Sequence, residues 1–307
     1  MKRVLKWIGI VLLVLVGIIV VGGAVGHFVG KGRLDKAPEI ATKPVAVPGD
    51  AAAIAKGERL VNEVSFCAEC HGENLEGDVL IDGEVGLYVP ATNLTAGAGG
   101  IGAAYSDEDW QRAIRHGVGP DGRVLFIMPS NFYQHYSDED LGALIAYLKS
   151  VPPVDNDLGA RRVGFPGTIL GGFAAFDDLT RLNGIDHASV GGSAPAEGAT
   201  AEYGHYLTNI AICGECHGAN LAGIVLAEGE DGPPEGPNLT TGGELGGWSE
   251  ADFINTLRTG QTPSGKQLDP EQMPFPSYSL MSDTELQAIW AYLSSLPALP
   301  SNEGFDG

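Results

Sequence analysis

Two short segments hold the residues of this chain that are best suited to carry a cofactor. Each has two cysteines separated by two residues and followed at once by a histidine: Cys67, Cys70 and His71 in the first, and Cys213, Cys216 and His217 in the second. Cysteines at this spacing lie on one side of a helical turn, and the next residue brings an imidazole alongside them. Two thioether bonds can then fix the vinyl edges of a porphyrin while the histidine nitrogen reaches the iron. The pattern therefore predicts two covalently bound haem c groups, one at each segment.

These segments belong to a repeat, in which the chain matches itself at an offset of about 146 residues. The first copy runs from about residue 51 to 154 and the second from about 200 to 300. An Asn-Leu-Thr tripeptide, a Met-Pro dipeptide and a Tyr-Leu dipeptide follow the cysteines in the same order in both copies. Such ordered agreement predicts two copies of one domain.

The four cysteines of the chain are all in these segments, so none remains for a disulfide between distant residues. Three other uses of the cysteines are weaker hypotheses. A zinc site would draw its ligands from two separate domains, whereas structural zinc sites usually gather theirs locally. A thioredoxin-like redox pair needs a βαβ setting, which the sequence does not show. The third alternative is a simple disulfide within each segment.

Methionines are the candidates for the second axial ligand of each iron. Met128 and Met273 follow the first cysteine of their copies by 61 and 60 residues, and a proline follows each of them. Met1 begins the apolar N-terminal segment, and Met281 aligns with a tyrosine of the first copy, so we expect Met281 to be a packing residue. A thioether is a soft ligand, and ligation by His and Met raises the haem potential. The alternative is that Met128 and Met273 are ordinary core residues.

The other histidines are weaker candidates for a functional role. His116 has no counterpart in the second copy, where Thr259 stands, and we predict that it lies on the surface. His135, His187 and His205 also lack partners in the repeat.

Helical signals dominate both copies, and no strand-like alternation is sustained. Serines followed three residues later by an acidic residue predict four helix starts, at Ser106, Ser137, Ser249 and Ser282. Apolar residues after the second and fourth of these recur at i, i+3, i+4 and i+7, which predicts one buried helical face in each copy. The predicted fold class is all-α, with an N-terminal transmembrane helix followed by two tandem domains.

An uncharged run from Trp7 to Gly30 follows a short basic stretch at the N-terminus. A bilayer core needs roughly 20 apolar residues in a helix, and the run is longer than the apolar part of a cleavable signal peptide. An uncleaved anchor is therefore favoured over a cleaved signal. The bases before the run favour a cytoplasmic N-terminus, although two bases after it weaken that bias. We expect a single-pass protein of a bacterial inner membrane, with the haem domains in the periplasm.

The formal net charge of the chain is −21, and the acidity lies in the body of the protein. Residues 37–307 contain 12 bases against 38 acids. Such a body excludes nucleic acid as a partner and favours basic protein partners, mainly through faster association. The alternative is that the acidity only keeps the protein soluble.

On these residues the chain resembles class I (mitochondrial-type) cytochrome c domains in tandem. More narrowly, it resembles the membrane-anchored cytochrome c subunits of periplasmic dehydrogenases, such as alcohol or gluconate dehydrogenases. The resemblance covers most of residues 51–155 and 200–300. Those subunits often carry three haem domains, whereas this chain has two.

The resemblance implies two structural details. The carbonyl of Pro237 would accept a hydrogen bond from His217, a contact that fixes the ring and tunes the metal; in the first copy Thr92 occupies the place of this proline. The first and last helices of each domain would cross closely at Gly57 and Gly204.

The predicted organisation is a membrane anchor (1–36), a first cytochrome c domain (37–155), a linker (156–199) and a second cytochrome c domain (200–307). The apolar part of the linker, residues 165–182, is interpreted as an ordered connection, the alternatives being contact with the haem domains or with the membrane. The predicted function is electron transfer between periplasmic redox partners in a respiratory chain, as a subunit or partner of a dehydrogenase or oxidase complex and not as an enzyme. The alternative is a di-haem enzyme, peroxidase-like or thiosulfate-oxidising, in which one haem has a displaceable sixth ligand.

Overall fold

The computed structural model describes residues 2–37, 39–83, 86–173, 175–225 and 235–302. Its first element is α1 (Lys2–Asp35), a helix of 34 residues. By length and composition α1 can cross a membrane, and it is the one helix among the described residues that can. The N-terminal run predicted to span a membrane is therefore a continuous helix.

The first repeat forms a small domain of helices joined by long loops. Its elements are α2 (Ala51–Arg59), which continues as a π-helical turn (Leu60–Val64), α3 (Cys67–His71), β1 (Asp78–Asp82), β2 (Leu87–Ala91), α4 (Asp107–His116), α5 (Ser130–Tyr133) and α6 (Asp138–Ser150). The linker adds β3 (Arg162–Val163), α7 (Phe165–Gly172), α8 (Asp177–Thr180) and a 3₁₀ turn (Leu182–Gly184).

The second repeat forms the same helical framework. Its elements are α9 (Ala201–Ile210), α10 (Cys213–His217), β4 (Ile224–Val225), β5 (Glu235–Gly236), a 3₁₀ turn (Glu244–Gly247), α11 (Glu250–Thr259), α12 (Phe275–Tyr278) and α13 (Asp283–Ser295). All four predicted serine caps are present, each accepting a hydrogen bond from the backbone N–H three residues on. The predicted helix starts are therefore confirmed.

The first and last helices of each domain cross in backbone contact, as the resemblance implied. A Cβ atom on Gly57 of α2 would lie 2.0 Å from the carbonyl oxygen of Ala143 in α6. A Cβ atom on Gly204 of α9 would lie 1.9 Å from the carbonyl oxygen of Ala288 in α13. Only glycine permits this approach, because any side chain would overlap the facing backbone.

Short strands are the main departure from a purely helical expectation. In the described residues, β1, β2 and β3 form an antiparallel sheet in that order, and β4 pairs with β5. The strands have two to five residues, too few for a sustained alternation, and Pro90 lies within β2. These short strands only pair segments of the loops with one another. The fold therefore remains mostly helical.

One apolar core extends through both domains. Its members include the predicted face of α6, at Leu141, Leu144, Ile145 and Leu148, and the matching Leu286, Ile289 and Leu293 of α13. Ser65 of the first domain donates its hydroxyl to the carbonyl of Ile210 at 2.8 Å. The guanidinium of Arg59 binds the carboxylate of Glu285 at 2.7 Å. The two domains therefore form one packed body.

The prediction that His116 lies on the surface is wrong. Its side chain is fully buried at the end of α4, and its Nδ1 lies 2.9 Å from Nδ1 of His187. Burial, together with the nearby His187, lowers the pKa of His116 to about 4. The repeat could not indicate this burial, because the segment that covers His116 belongs to the linker and has no second copy.

Candidate functional site

Each cysteine segment begins at a sharp turn of the backbone. Phe66 adopts a left-handed conformation (φ 53°) between the π-helical turn and α3, and Ile212 does the same (φ 49°) between α9 and α10. Left-handed conformations are uncommon for bulky apolar residues. The equivalent turn in both domains therefore places each pair of cysteines and its histidine on one short helix that leaves the preceding helix at an angle.

Both histidines are held by a backbone carbonyl. Nδ1 of His217 lies 2.8 Å from the oxygen of Pro237, as the resemblance implied, and Nδ1 of His71 lies 2.8 Å from the oxygen of Thr92. A carbonyl can only accept, so Nδ1 carries the proton in each ring, and Nε2 keeps its lone pair. Burial lowers the pKa of both imidazoles, which keeps the rings neutral. Each histidine is thus oriented as a metal ligand.

The cysteines are poor candidates for a thiolate site. Burial raises the pKa of Cys67 and of Cys213 to about 12 as free thiols, so neither would ionise near neutral pH. Thiol–disulfide chemistry needs the thiolate, so the high pKa argues against a redox pair; it does not argue against zinc, which deprotonates the thiols that it binds. Within the described part of the chain there is also no cluster of three or more His, Cys, Asp or Glu residues that could hold a metal ion. These observations favour covalent attachment over the zinc and redox-pair hypotheses.

The two methionines occupy equivalent loops. Met128 and Met273 each precede a proline with nearly the same conformation, φ −80° and ψ 53° at Pro129 and φ −75° and ψ 53° at Pro274. Each proline opens a short helix, α5 or α12. Met281, by contrast, is 1% exposed in the core, which confirms its predicted packing role.

One continuous cavity of about 1030 Å³ brings all of these residues together. Its lining includes both cysteine segments, both methionines and largely apolar walls from the two domains. Protein interiors leave few voids larger than a water molecule, and single ligand pockets reach about 1,000 Å³. The cavity therefore has the size and the wall chemistry for large, flat, apolar groups.

Polar atoms on the cavity wall also fit a haem. The indole Nε1 of Trp110 is buried in the wall with no hydrogen-bond partner among the described residues, so an acceptor oxygen on a bound group would satisfy it. Arg123, Arg161 and Lys266 also line the cavity, together with several acidic side chains. An indole N–H and basic groups beside an apolar pocket suit a flat macrocycle that carries carboxylates.

Sequence reasoning did not identify Trp110 or the tyrosines Tyr133 and Tyr278, which also line the cavity. Each tyrosine lies five residues after its methionine. Their hydroxyls donate to equivalent carbonyls, Ser65 for Tyr133 and Ala211 for Tyr278. The matching position in the repeat was the signal that could have found them.

Comparison with known proteins identifies the family. The family model described as cytochrome c matches residues 54–152 and again residues 201–297. The chain therefore belongs to the cytochrome c family.

Curated relatives of similar sequence are cytochrome proteins. The chain is 30% identical over 279 residues to the fructose dehydrogenase cytochrome subunit of Gluconobacter japonicus, covering 84% of this chain and 55% of that protein. It is 30% identical over 288 residues to the cytochrome c subunit of the quinone-dependent alcohol dehydrogenase of Gluconobacter oxydans, covering 84% and 58%. A di-haem c-type cytochrome of Cereibacter sphaeroides is 30% identical over 291 residues, covering 84% and 92%. The chain thus spans little more than half the length of the first two.

The two matched domains and the two cysteine segments define a di-haem c-type cytochrome. The predicted family and the two covalently bound haem c groups are thereby confirmed.

Proposed function

We propose which residues bind each of the two haem groups. Cys67 and Cys70 would carry the thioether bonds of one haem, with His71 and Met128 holding its iron. Cys213 and Cys216 would carry those of the other, with His217 and Met273 holding its iron. Two observations support this assignment: both sets of residues line one cavity, and each histidine has its Nε2 lone pair available. A haem ligated in this way passes single electrons between two oxidation states of iron.

The continuous cavity is the single observation that carries the proposed function. Because both cysteine segments line it, residues of both domains would hold the two haem groups within one protein-walled space. This arrangement supports a relay in which the chain accepts electrons from one protein and delivers them to another. With a histidine and a methionine as ligands in each domain, neither iron would be left to bind a substrate.

The alternative of a di-haem enzyme rested on a difference between the two copies, and the two histidine contacts do not show that difference. The difference is that the first copy lacks the proline that precedes Asn-Leu-Thr in the second copy. The carbonyl of Thr92 makes the same 2.8 Å contact with His71 that Pro237 makes with His217. No observation favours a displaceable sixth ligand.

We also propose a location and a redox partner for the protein. The helix α1 anchors the chain in a bacterial inner membrane, with the N-terminus in the cytoplasm and the domains (37–155 and 200–307, joined by the linker 156–199) in the periplasm. The relatives named as dehydrogenase subunits support a place beside a periplasmic dehydrogenase in a respiratory chain. The acidic body favours a basic docking surface on the redox partner, since opposite charges speed association.

The ligand assignment is tested by exchanging the methionines one at a time. Met128→Leu and Met273→Leu should each lower one of the two haem potentials and convert that iron to the high-spin form in the oxidised visible spectrum, because a thioether ligand raises the potential. Redox titration with optical detection follows both haems. Met281→Leu is the matched control, since Met281 is a buried residue of the core.

Three results would contradict the proposal. A high-spin iron in the oxidised wild-type protein would reveal an open axial position and support the enzyme alternative. An unchanged pair of potentials in Met128→Leu would exclude Met128 as a ligand. Purification from membranes with identification of the co-purified proteins tests the partner, and a partner with no redox centre would contradict the relay.

A further inference from the structure

A second uncharged segment lies beside the anchor helix. The linker has no charged residue from Val163 to Phe176, and α7 forms the middle of this stretch. One face of α7 packs against α1. Phe165, Leu170 and the following Phe173 remain exposed by 62%, 44% and 70%, although the rings of Phe165 and Phe173 also reach His27 and Gly26 of α1. Large apolar side chains grouped in this way on a protein surface mark an interaction site.

The two helices touch backbone to backbone. A Cβ atom on Gly30 of α1 would lie 1.8 Å from the carbonyl oxygen of Thr168 in α7. A Cβ atom on Gly172 of α7 would lie 2.1 Å from the carbonyl oxygen of Gly26 in α1. Close approach at small residues is the way in which helices associate within membranes. The position of α7 along α1 is therefore fixed.

That position corresponds to one end of the membrane-spanning run. The uncharged run from Trp7 to Gly30 is about 36 Å long as a helix, and the hydrocarbon core of a bilayer is roughly 30 Å thick. The contacts of α7 begin at Gly23, where Cδ1 of Ile169 would lie 3.8 Å from an added Cβ, and reach Gly30. They lie along the last third of the run. If α1 spans the membrane, α7 lies at the depth of the leaflet on the side of the haem domains.

A polar contact between the helices fits this depth. His27 is an ionisable residue in an otherwise apolar part of α1, and its Nδ1 lies 2.6 Å from Oγ1 of Thr168. The hydroxyl of Thr168 donates to the carbonyl of Phe165 at 2.8 Å, so its oxygen accepts from the imidazole N–H. A polar group in a membrane is costly unless it has a partner. The helix α7 supplies that partner.

We propose that α7 is a second membrane element, inserted in the leaflet nearest the haem domains, with Phe165, Leu170 and Phe173 in contact with lipid acyl chains. The inference rests on the proposed membrane anchoring by α1. Lipid is the occupant because the exposed face of α7 continues the exposed apolar surface of α1, where Phe28 is 73% exposed.

The consequence is that the first domain is held at the membrane surface. The guanidinium of Arg161, just before α7, donates to the carbonyl of Leu34 at the end of α1, at 2.8 Å. Leu34 itself is buried against Leu87 and Phe126 of the first domain. The anchor, α7 and the first domain are therefore joined by packing and not only by a flexible tether.

Thiol accessibility in lipid tests this proposal. The native cysteines are bonded to haem, so Leu170→Cys provides a single free thiol in the full-length holoprotein. The protein is placed in lipid nanodiscs that carry one copy each, and a charged, membrane-impermeant maleimide is added. Mass spectrometry then follows the alkylated fraction over time. Two matched variants calibrate the rates: Leu13→Cys in the middle of α1, which is 74% exposed, and Leu280→Cys in the second domain, which is 61% exposed.

We expect Leu280→Cys to react quickly, and Leu13→Cys and Leu170→Cys to react many-fold more slowly. If Leu170→Cys reacts as fast as Leu280→Cys while Leu13→Cys stays protected, the anchor is supported, the inference is wrong, and α7 is a docking face for a protein partner. If Leu13→Cys also reacts quickly, the membrane anchoring itself is refuted, and the inference falls with it.

Discussion

The ring of Phe66 lies edge-on against the ring of Tyr278, with the centroids 4.4 Å apart and the planes at 81°. Phe66 comes directly before the first cysteine of one domain, and Tyr278 ends the short helix after the methionine of the other. Edge-to-face geometry at this distance is favourable for aromatic pairs. The segments proposed to bind haem in the two domains are thus packed against each other and not merely connected by the linker.

Removing this contact should weaken the coupling of the domains. Phe66→Ala removes a buried ring and should lower the free energy of unfolding by about 3 kcal/mol, whereas Phe66→Leu should cost about 1 kcal/mol, because it keeps most of the apolar volume. Denaturant unfolding measures both values. We also expect the single transition of the wild type to separate into two in Phe66→Ala, and an unchanged midpoint would show that the interface does not depend on this pair.

The close helix crossings predict that alanine is not tolerated at two glycines. Gly57→Ala and Gly204→Ala would each place a methyl group about 2 Å from a carbonyl oxygen of the facing helix. Each should lower the free energy of unfolding by about 2 kcal/mol or more, since the helices must move apart. Gly49→Ala and Gly247→Ala are controls with open space around the added carbon, and we expect their effects to stay within about 0.5 kcal/mol. Equal effects at all four positions would contradict the crossing geometry.

A buried carboxylate ties the second domain to the first. The hydroxyl of Tyr206 donates to Asp140, whose side chain also binds the ammonium of Lys56 at 2.6 Å. Hydrogen bonds to charged groups contribute about 1.5–3 kcal/mol, so Tyr206→Phe should destabilise the protein by about 2 kcal/mol. Tyr203→Phe is the matched control, because it removes a hydroxyl from the same helix and leaves the Tyr206–Asp140 bond in place. Thermal or denaturant unfolding of both variants measures whether the hydrogen bond contributes this much to the free energy of unfolding.

The buried His116 predicts a loss of stability in acid. Its pKa of about 4 in the folded protein lies below the ordinary value near 6.5, so the unfolded chain takes up the proton first. The free energy of unfolding should therefore be unaffected by this group above pH 6.5. It should fall between pH 6.5 and 4, with a slope approaching about 1.4 kcal/mol per pH unit.

The check is the pH dependence of His116→Asn, whose amide can replace Nδ1 in the contact with His187. The variant should show a shallower fall of stability between pH 6.5 and 4 than the wild type, whatever its stability at pH 7. Parallel curves for the two proteins would mean that His116 is not the group responsible.

The sequence by itself determined the features that depend on residue type and local spacing. The cysteine segments, the repeat, the serine caps, the apolar face of α6 and the packing role of Met281 are all of this kind. Haem attachment needs particular atoms at a fixed separation along the chain, and helix caps and apolar periodicity are likewise set by neighbours within one or two turns. Such local constraints can be recognised from the sequence alone.

Only the tertiary structure decided which distant groups meet. The carbonyl of Thr92 accepts a hydrogen bond from His71 just as the carbonyl of Pro237 accepts one from His217. The sequence could not indicate the first contact, because every residue has a backbone carbonyl, whatever its type. His116 is buried because a linker segment folds over it, and Phe66 meets Tyr278 through packing of one domain on the other. The contact of α7 with α1 joins segments more than a hundred residues apart. Contacts of this kind depend on the complementarity of whole surfaces, which local patterns in a sequence do not record.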